Sequence, residues 1–243
     1  MGTSVKLYQK EMHENFGFFA TWLPGDPIEL GDVGVFEGGR FRRLSSLREL
    51  NIDVGVARGK STQDTQYTSR EGTRITAGGG AEILAIGKAE ITIEFSREGA
   101  FVFQGSALRQ DRLDNVAAVG ARVLEEYARG AWRKEWMFVE ALHIAKAATI
   151  IVSEDSSSSI TLAADVKAPI PTTALADPRL ALSVKATRGR ILHVIAGKGL
   201  RPLYSCLRVT DPLFGSTSVQ PVRGVTTGVH PVSRPSIAEL LDS

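Results

Sequence analysis

The stretch AEILAIGKAEITIEFS, residues 81–96, decides how this chain is read. From Ile83 the odd positions are Ile83, Ala85, Gly87, Ala89, Ile91, Ile93 and Phe95, whereas the even positions from Lys88 are Lys88, Glu90, Thr92, Glu94 and Ser96. Side chains alternate faces along a strand, so the pattern predicts one apolar and one charged face. Leu84 and Ile86 interrupt the polar series, which predicts that the N-terminal part is covered on both sides. A strand over the whole stretch would exceed the usual 5 to 6 or so residues and also the roughly 9 to 11 that a tilted strand needs to cross a bilayer. Two readings follow: a long, bent strand packing one face on a helix in a soluble α+β domain, or a strand able to join a membrane barrel.

Composition bounds both. The chain has 243 residues, of which 43% are hydrophobic, enough for a sizeable core. Lys and Arg total 29 against 27 Asp and Glu, a formal net charge of +2, which lacks the basic footprint of a nucleic-acid binder. A single cysteine, Cys206, cannot form an intramolecular disulfide and fits a reducing compartment. No apolar run reaches the roughly 18 residues of a membrane helix, and the N-terminus lacks the apolar core of a signal peptide. The expectation is a protein made soluble in the cytoplasm.

Along the chain, residues 6–19 are mixed and weakly patterned. Two short apolar runs about Gly38-Gly39 predict a β-hairpin rather than a phosphate loop, since no Gly-Lys-Ser/Thr follows. Residues 44–50 carry apolar side chains at helical spacing and predict a short helix. A strand is expected from Thr65 to Thr76, and residues 65–104 read as an antiparallel meander. The best helix is residues 111–130: Leu113, Val116, Ala117, Gly120, Val123, Leu124 and Tyr127 recur at spacings of three and four, and Gly130 suits a left-handed cap. Trp132 and Trp136 are read as pins between a helix and a sheet. Residues 137–139 and 147–153 return to strand. After a solvated turn at residues 154–159, Ile160, Leu162, Ala164 and Val166 alternate with polar neighbours, which predicts a second amphipathic hairpin, and beyond the proline-rich loop 169–178 Leu182, Val184 and Ala186 alternate again with Ser183, Lys185 and Thr187. Two regions result: an α+β domain over residues 1–210 and a proline-rich tail over residues 211–243.

No catalytic or metal-binding constellation emerges. His13, His143, His193 and His230 stand singly, without a zinc spacing, and there is no Gly-x-Ser-x-Gly elbow. His143 and His193 read as structural, and Cys206 as a buried small side chain. The expectation is a protein that is not an enzyme and takes no cofactor or metal.

The order of these elements resembles the pore-forming domain of gasdermins over residues 28–208: the early Leu30-Gly31-Asp32-Val33 strand, a polar strand leading into residues 81–96, a helix ending in Val123-Leu124-Glu125-Glu126 near Gly130, the Phe138-Val139 strand and the later amphipathic hairpins. What the resemblance implies is a mostly antiparallel, twisted sheet with amphipathic hairpins and packed helices. It further implies a pore-forming effector of cell death and antiviral defence, held as an inactive cytoplasmic monomer. Activated by a protease, it would meet membrane lipid at the cell's inner or plasma membrane and form a homo-oligomer around a β-barrel, with no nucleic acid involved. The membrane-facing candidates are Ile83, Ala85, Ile91, Ile93 and Phe95 in the first hairpin, Ile160 and Leu162 in the second, and Leu182 and Val184 beyond the proline-rich loop, with Lys88, Glu90 and Glu94 toward water. In the tail, Ile237, Leu240 and Leu241 share one face and form the candidate autoinhibitory contact, with Arg223 and Arg234 as cleavage candidates. In the monomer the apolar face of residues 83–95 is expected to lie under the helix that carries Val116 and Val123, with Ser236–Leu241 as a second cover. Bacterial gasdermins are similar in carrying a lipidated cysteine near the N-terminus, a feature that this sequence lacks. The competing class is a non-enzymatic α+β module that binds a ligand or a partner.

Overall fold

The structure is a computed structural model and describes residues 3–21, 27–78 and 88–210. In chain order the elements are α1 (Thr3–Phe16), β1 (Phe19–Ala20), β2 (Asp32–Glu37), β3 (Arg40–Ser46), β4 (Val56–Ala57), β5 (Gln63–Thr68), β6 (Thr73–Gly78), β7 (Ala89–Phe95), β8 (Phe101–Leu113), α2 (Val116–Ala128), β9 (Met137–Ile144), β10 (Ala147–Ser153), β11 (Ser158–Ala164), a 3-10 turn (Pro178–Leu180), β12 (Ser183–Arg188), β13 (Ile191–Lys198) and β14 (Leu203–Arg208). The class is α+β, with antiparallel pairing throughout the described ladders.

The strands form two sheets. The larger has the order β1-β14-β9-β8-β10-β13, with β2 beside β9, β3 beside β2, and β4 and β5 on β8; the smaller has four strands in the order β12-β11-β7-β6. Part of the larger sheet repeats the order of the smaller. β5, β8, β10 and β13 are neighbours in that order, and β6, β7, β11 and β12 are neighbours in the same order. Each member of the first set is joined to its counterpart by a short turn: residues 69–72, 96–100, 154–157 and 189–190. Four long strands therefore run through both sheets and bend along one line.

The Gly38-Gly39 hairpin forms as expected between β2 and β3, with both glycines at positive φ. Other expectations are corrected. α1 was not legible, because its buried stripe of Val5, Tyr8 and Met12 also contains Ser4 and Gln9. Gln9 replaces a solvent bond with a peptide-like one: its carbonyl accepts from the Ala20 amide at 2.9 Å and its amide donates to the Ala20 carbonyl. Residues 44–50 do not form a helix; β3 runs to Ser46, and the single turn that follows stops at Asn51, which has φ 56°. The meander over residues 65–104 is replaced by the bent pairs, since β5 and β6 belong to different sheets. β7 begins at Ala89, and residues 81–87 of the expected sixteen-residue strand lie outside the described residues.

The helix expected over residues 111–130 starts at Val116 instead, because Asp111 and Leu113 belong to β8. Asp111 is buried and accepts from the Arg109 guanidinium at 2.8 Å and the Gly59 amide at 3.1 Å, the bonding of a strand residue rather than of a helix start. Val119 and Val123 of α2 pack with Val33, Leu47, Ile52, Leu113, Trp132 and Phe138. Trp132 stacks edge-on against Trp136 and Phe138, which places the tryptophan pair in this core.

Candidate functional site

The small sheet is the feature that separates this fold from a plain scaffold, and its register explains its chemistry. Across the strands, Ile75, Ile93 and Ile160 form one row, and Ala77, Ile91, Leu162 and Val184 another. Between them lie the rows Thr76-Thr92-Thr161-Ala186 and Arg74-Glu94-Ser159-Arg188. Because faces alternate, the first pair of rows makes an apolar face and the second a polar one. Thr92 and Thr161 share a hydroxyl bond of 3.2 Å on the polar face. There Lys185 also forms an ion pair with Glu90.

Ile91 and Ile93 are fully buried and Phe95 is 3% exposed, as are their neighbours Ile160 and Leu162 at 0%. Their cover differs from the expected one. The apolar face packs on Val102 of β8, Ile151 of β10 and the buried Ile170 and Leu175 of the β11–β12 connection, and α2 belongs to another cluster. A sheet can bury a flat face against the sheet from which its own strands continue, and no helix is then needed.

The alternating segment beyond the proline-rich loop also departs from its expected pattern. Leu182 precedes β12 and is half-buried, and every residue of β12 is exposed. The register shifts between Thr161 and Leu162, with Lys185 as the extra residue, so Val184 opposes Leu162 whereas Ala186 opposes Thr161. Leu182, Val184 and Ala186 therefore do not share one face: a bulge moves a strand's remaining side chains to the other side. Ile83, Ala85, Arg223, Arg234, Ile237, Leu240 and Leu241, with the Ser236–Leu241 cover, lie outside the described residues.

Along the bend, backbone bonds join each turn to the next. Ser96 N donates to Gly72 O at 2.9 Å, Ser69 N to Phe101 O at 2.9 Å, Gly99 N to Ser153 O at 2.9 Å, Ser153 N to Ala100 O at 2.9 Å, and Glu154 N to Arg190 O at 2.9 Å. Side chains reinforce them. The Ser69 hydroxyl accepts from Phe101 N at 3.1 Å, and the Ser153 hydroxyl shares a 2.7 Å bond with that of Ser158. Asp155 accepts from Arg190 through both its amide at 2.7 Å and its guanidinium at 3.0 Å, and these bonds hold its carboxyl below the usual carboxylate range.

The connection over residues 165–182 is strapped to the large sheet. Buried Gln104 donates to Thr172 O at 2.5 Å and accepts from Leu175 N at 2.9 Å, while Thr149 donates to Leu175 O at 2.5 Å and accepts from Ala196 N at 2.8 Å. This loop was read from sequence as a proline-rich link, and nothing in its own composition announces the two polar partners beneath it.

Elsewhere, a groove of about 800 Å³ is lined by Asp32, Arg43, Arg58, Arg109, Asp111 and Arg201. Its acids are spent on neighbours, with Asp32 on Arg43 and Asp111 on Arg109, both at 2.8 Å. Among the described residues no group of His, Cys, Asp and Glu could hold a metal ion, and no helix is long and apolar enough to cross a membrane. His143 sits against the Phe18 ring at 4.4 Å, and burial pushes its pKa down. Cys206 is 1% exposed, and burial pushes its thiol well up.

No family model and no curated protein matches the chain. Among solved structures it is similar to the gasdermin A3 membrane pore, at 10% identity over 93% of this chain and 98% of that one, with a TM-score of 0.38. It is also similar to a bacterial gasdermin from Bradyrhizobium tropiciagri, at 16% identity over 85% of this chain and 88% of that one, with a TM-score of 0.37. Both belong to the family that the order of elements resembles.

Proposed function

We propose that this protein is a membrane pore-forming effector of cell death and defence, soluble in the cytoplasm at first, whose small sheet unbends to become part of a transmembrane β-barrel at the cell's inner or plasma membrane. The observation that carries this reading is the repeated strand order. The four strands already pair in one sequence above and below the bend, so straightening them gives a single antiparallel sheet without any change of neighbour. The straightened strands would span 16 residues or more, as from Gln63 to Gly78 or from Ser183 to Lys198. That exceeds the roughly 9 to 11 needed to cross a bilayer.

The two faces suit the two solvents. Rows of isoleucine and leucine would meet lipid, and rows of threonine, Glu90 and Glu94 would meet water, which is the alternation of a barrel wall. An open sheet edge is not tolerated in hydrocarbon, so β6 and β12 would each need a partner strand from another copy. The pore is therefore a homo-oligomer. Activation is by a protease that removes the tail, at or near Arg223 or Arg234, and so frees the surface through which copies meet. The chain works as a non-enzymatic effector, with no cofactor.

Val184 supplies the cleanest test. It lies in the apolar row beside Leu162 yet is 38% exposed, so it can be changed without opening the core. Val184→Lys puts a charge on the face assigned to lipid, at a penalty of about 2 to 4 kcal/mol near the midplane. Glu94→Gln changes only the face assigned to water. After proteolytic removal of the tail, dye release from anionic vesicles should be lost in the first variant and kept in the second, with both uncut proteins melting like the parent. Equal release would reject the assigned faces, and no release from any form would favour a partner-binding module.

A further inference from the structure

The bend is gripped from one side by α1. Glu11 is 13% exposed and holds three donors, one from the end of β5 and one from each of two turns: the Tyr67 hydroxyl at 3.0 Å, the Arg70 amide at 2.6 Å and the Arg97 guanidinium at 3.2 Å. Three further α1 positions touch the same turns. Ser4 N donates to the Glu98 carboxylate at 3.0 Å, and Asn15 accepts from Arg70 at 3.4 Å. Gly99, with φ 75°, lies so close to Leu7 that an added Cβ would stand 2.7 Å from the Leu7 Cβ. Residues 4, 7, 11 and 15 recur at three- and four-residue spacing, so they form one stripe of the helix facing the bend.

The adjoining stripe, about a quarter-turn round the helix, is fixed to the body. Val5, Tyr8 and Met12 are buried with Phe101, Phe103, Ile150 and Val152, and Gln9 is bound to Ala20. α1 is thus a post that cannot leave without opening the core, whereas the turns at residues 69–72 and 97–100 can leave the post. Among the described residues α1 does not hold the second hairpin: its two turns bind each other through Asp155 and Arg190, and its connection is tied to the large sheet through Gln104 and Thr149.

We propose that Glu11 is a catch that keeps the first hairpin folded back, and that release of Arg70 and Arg97 from its carboxylate gates the unbending. This inference rests on the pore reading for its consequence and on geometry alone for the catch. A charge-assisted bond exchanged for water on release makes the catch reversible rather than permanent.

Hydrogen exchange on the full chain tests it, with Glu11→Ala and Arg97→Met as single variants and the pair as a cycle. Amides of residues 69–72 and 97–100 should exchange about tenfold faster in each single variant, with little further change in the double, while α1 amides keep the parent's rate. Once a protease has removed the tail, the lag before vesicle leakage should shorten by a similar factor. Unchanged exchange at the turns overturns the catch, as does loosening of α1 in step with them, which would mark simple loss of stability. Faster turns with an unshortened lag in a leaking parent overturn the gating. Faster turns with no leakage from any form, tail-truncated protein included, uphold the catch and remove the pore reading instead.

Discussion

Single residues carry the geometry of the bend. Gly189 sits at φ 75°, where an added Cβ would meet the Ser158 Cβ at 2.8 Å and the Ser157 carbonyl at 2.9 Å. Gly189→Ala should therefore lower stability by about 1 to 2 kcal/mol in urea titration, since both left-handed backbone and crowding oppose the methyl. A loss below the error of the fit would show that this turn is slack. His143 gives a pH dependence. Its folded-state pKa is depressed by burial, and its Nε2 has no hydrogen-bond partner among the described residues. As pH falls through about 6.5, the unfolded chain takes up the proton before the native one, so stability drops from there down to the folded pKa. His143→Phe should shrink the fall in Tm between about pH 7.5 and about pH 5.5. An equal fall in both proteins would assign acid sensitivity to other groups.

At the scale of elements, the strap over residues 165–182 can be weighed directly. Gln104→Met keeps the volume but removes the partners of Thr172 O and Leu175 N, which should lower stability by about 1 to 3 kcal/mol and speed exchange across the connection. If exchange there stays at the parent's rate, Thr149 alone suffices as the tie. The same elements show what a sequence can and cannot express. Ile91, Ile93 and Phe95 were legible as one buried face because strict alternation survives in β7. Leu182, Val184 and Ala186 were misassigned because a bulge at Lys185 leaves no mark on apolar spacing. The start of α2 was misplaced because Leu113, the last residue of β8, stands three positions before Val116 and so extends a helical series backward. α1 escaped notice because Gln9, a buried residue with a backbone-like role, breaks its stripe. Periodicity reports which face is dry; it carries no information on which element dries it, and so α2 was given the place that β8 and β10 occupy.

For the whole molecule, the proposal makes the tail the part that decides between two states. Residues 211–243 hold four prolines and the apolar trio Ile237, Leu240 and Leu241, a composition open to proteases. Truncation after Arg223 should turn an inert protein into one that permeabilises vesicles and is toxic on expression. A truncated chain that remains monomeric, folded and harmless would reject the tail as the inhibitor. A last consequence follows from the backbone bonds that run from turn to turn along the bend. Because each turn is bonded to the next, no strand can swing out while its neighbour stays folded back. On the pore reading, the conversion is then expected to behave like a two-state folding reaction, with one barrier, single-exponential kinetics and no half-opened hairpin among its populated species.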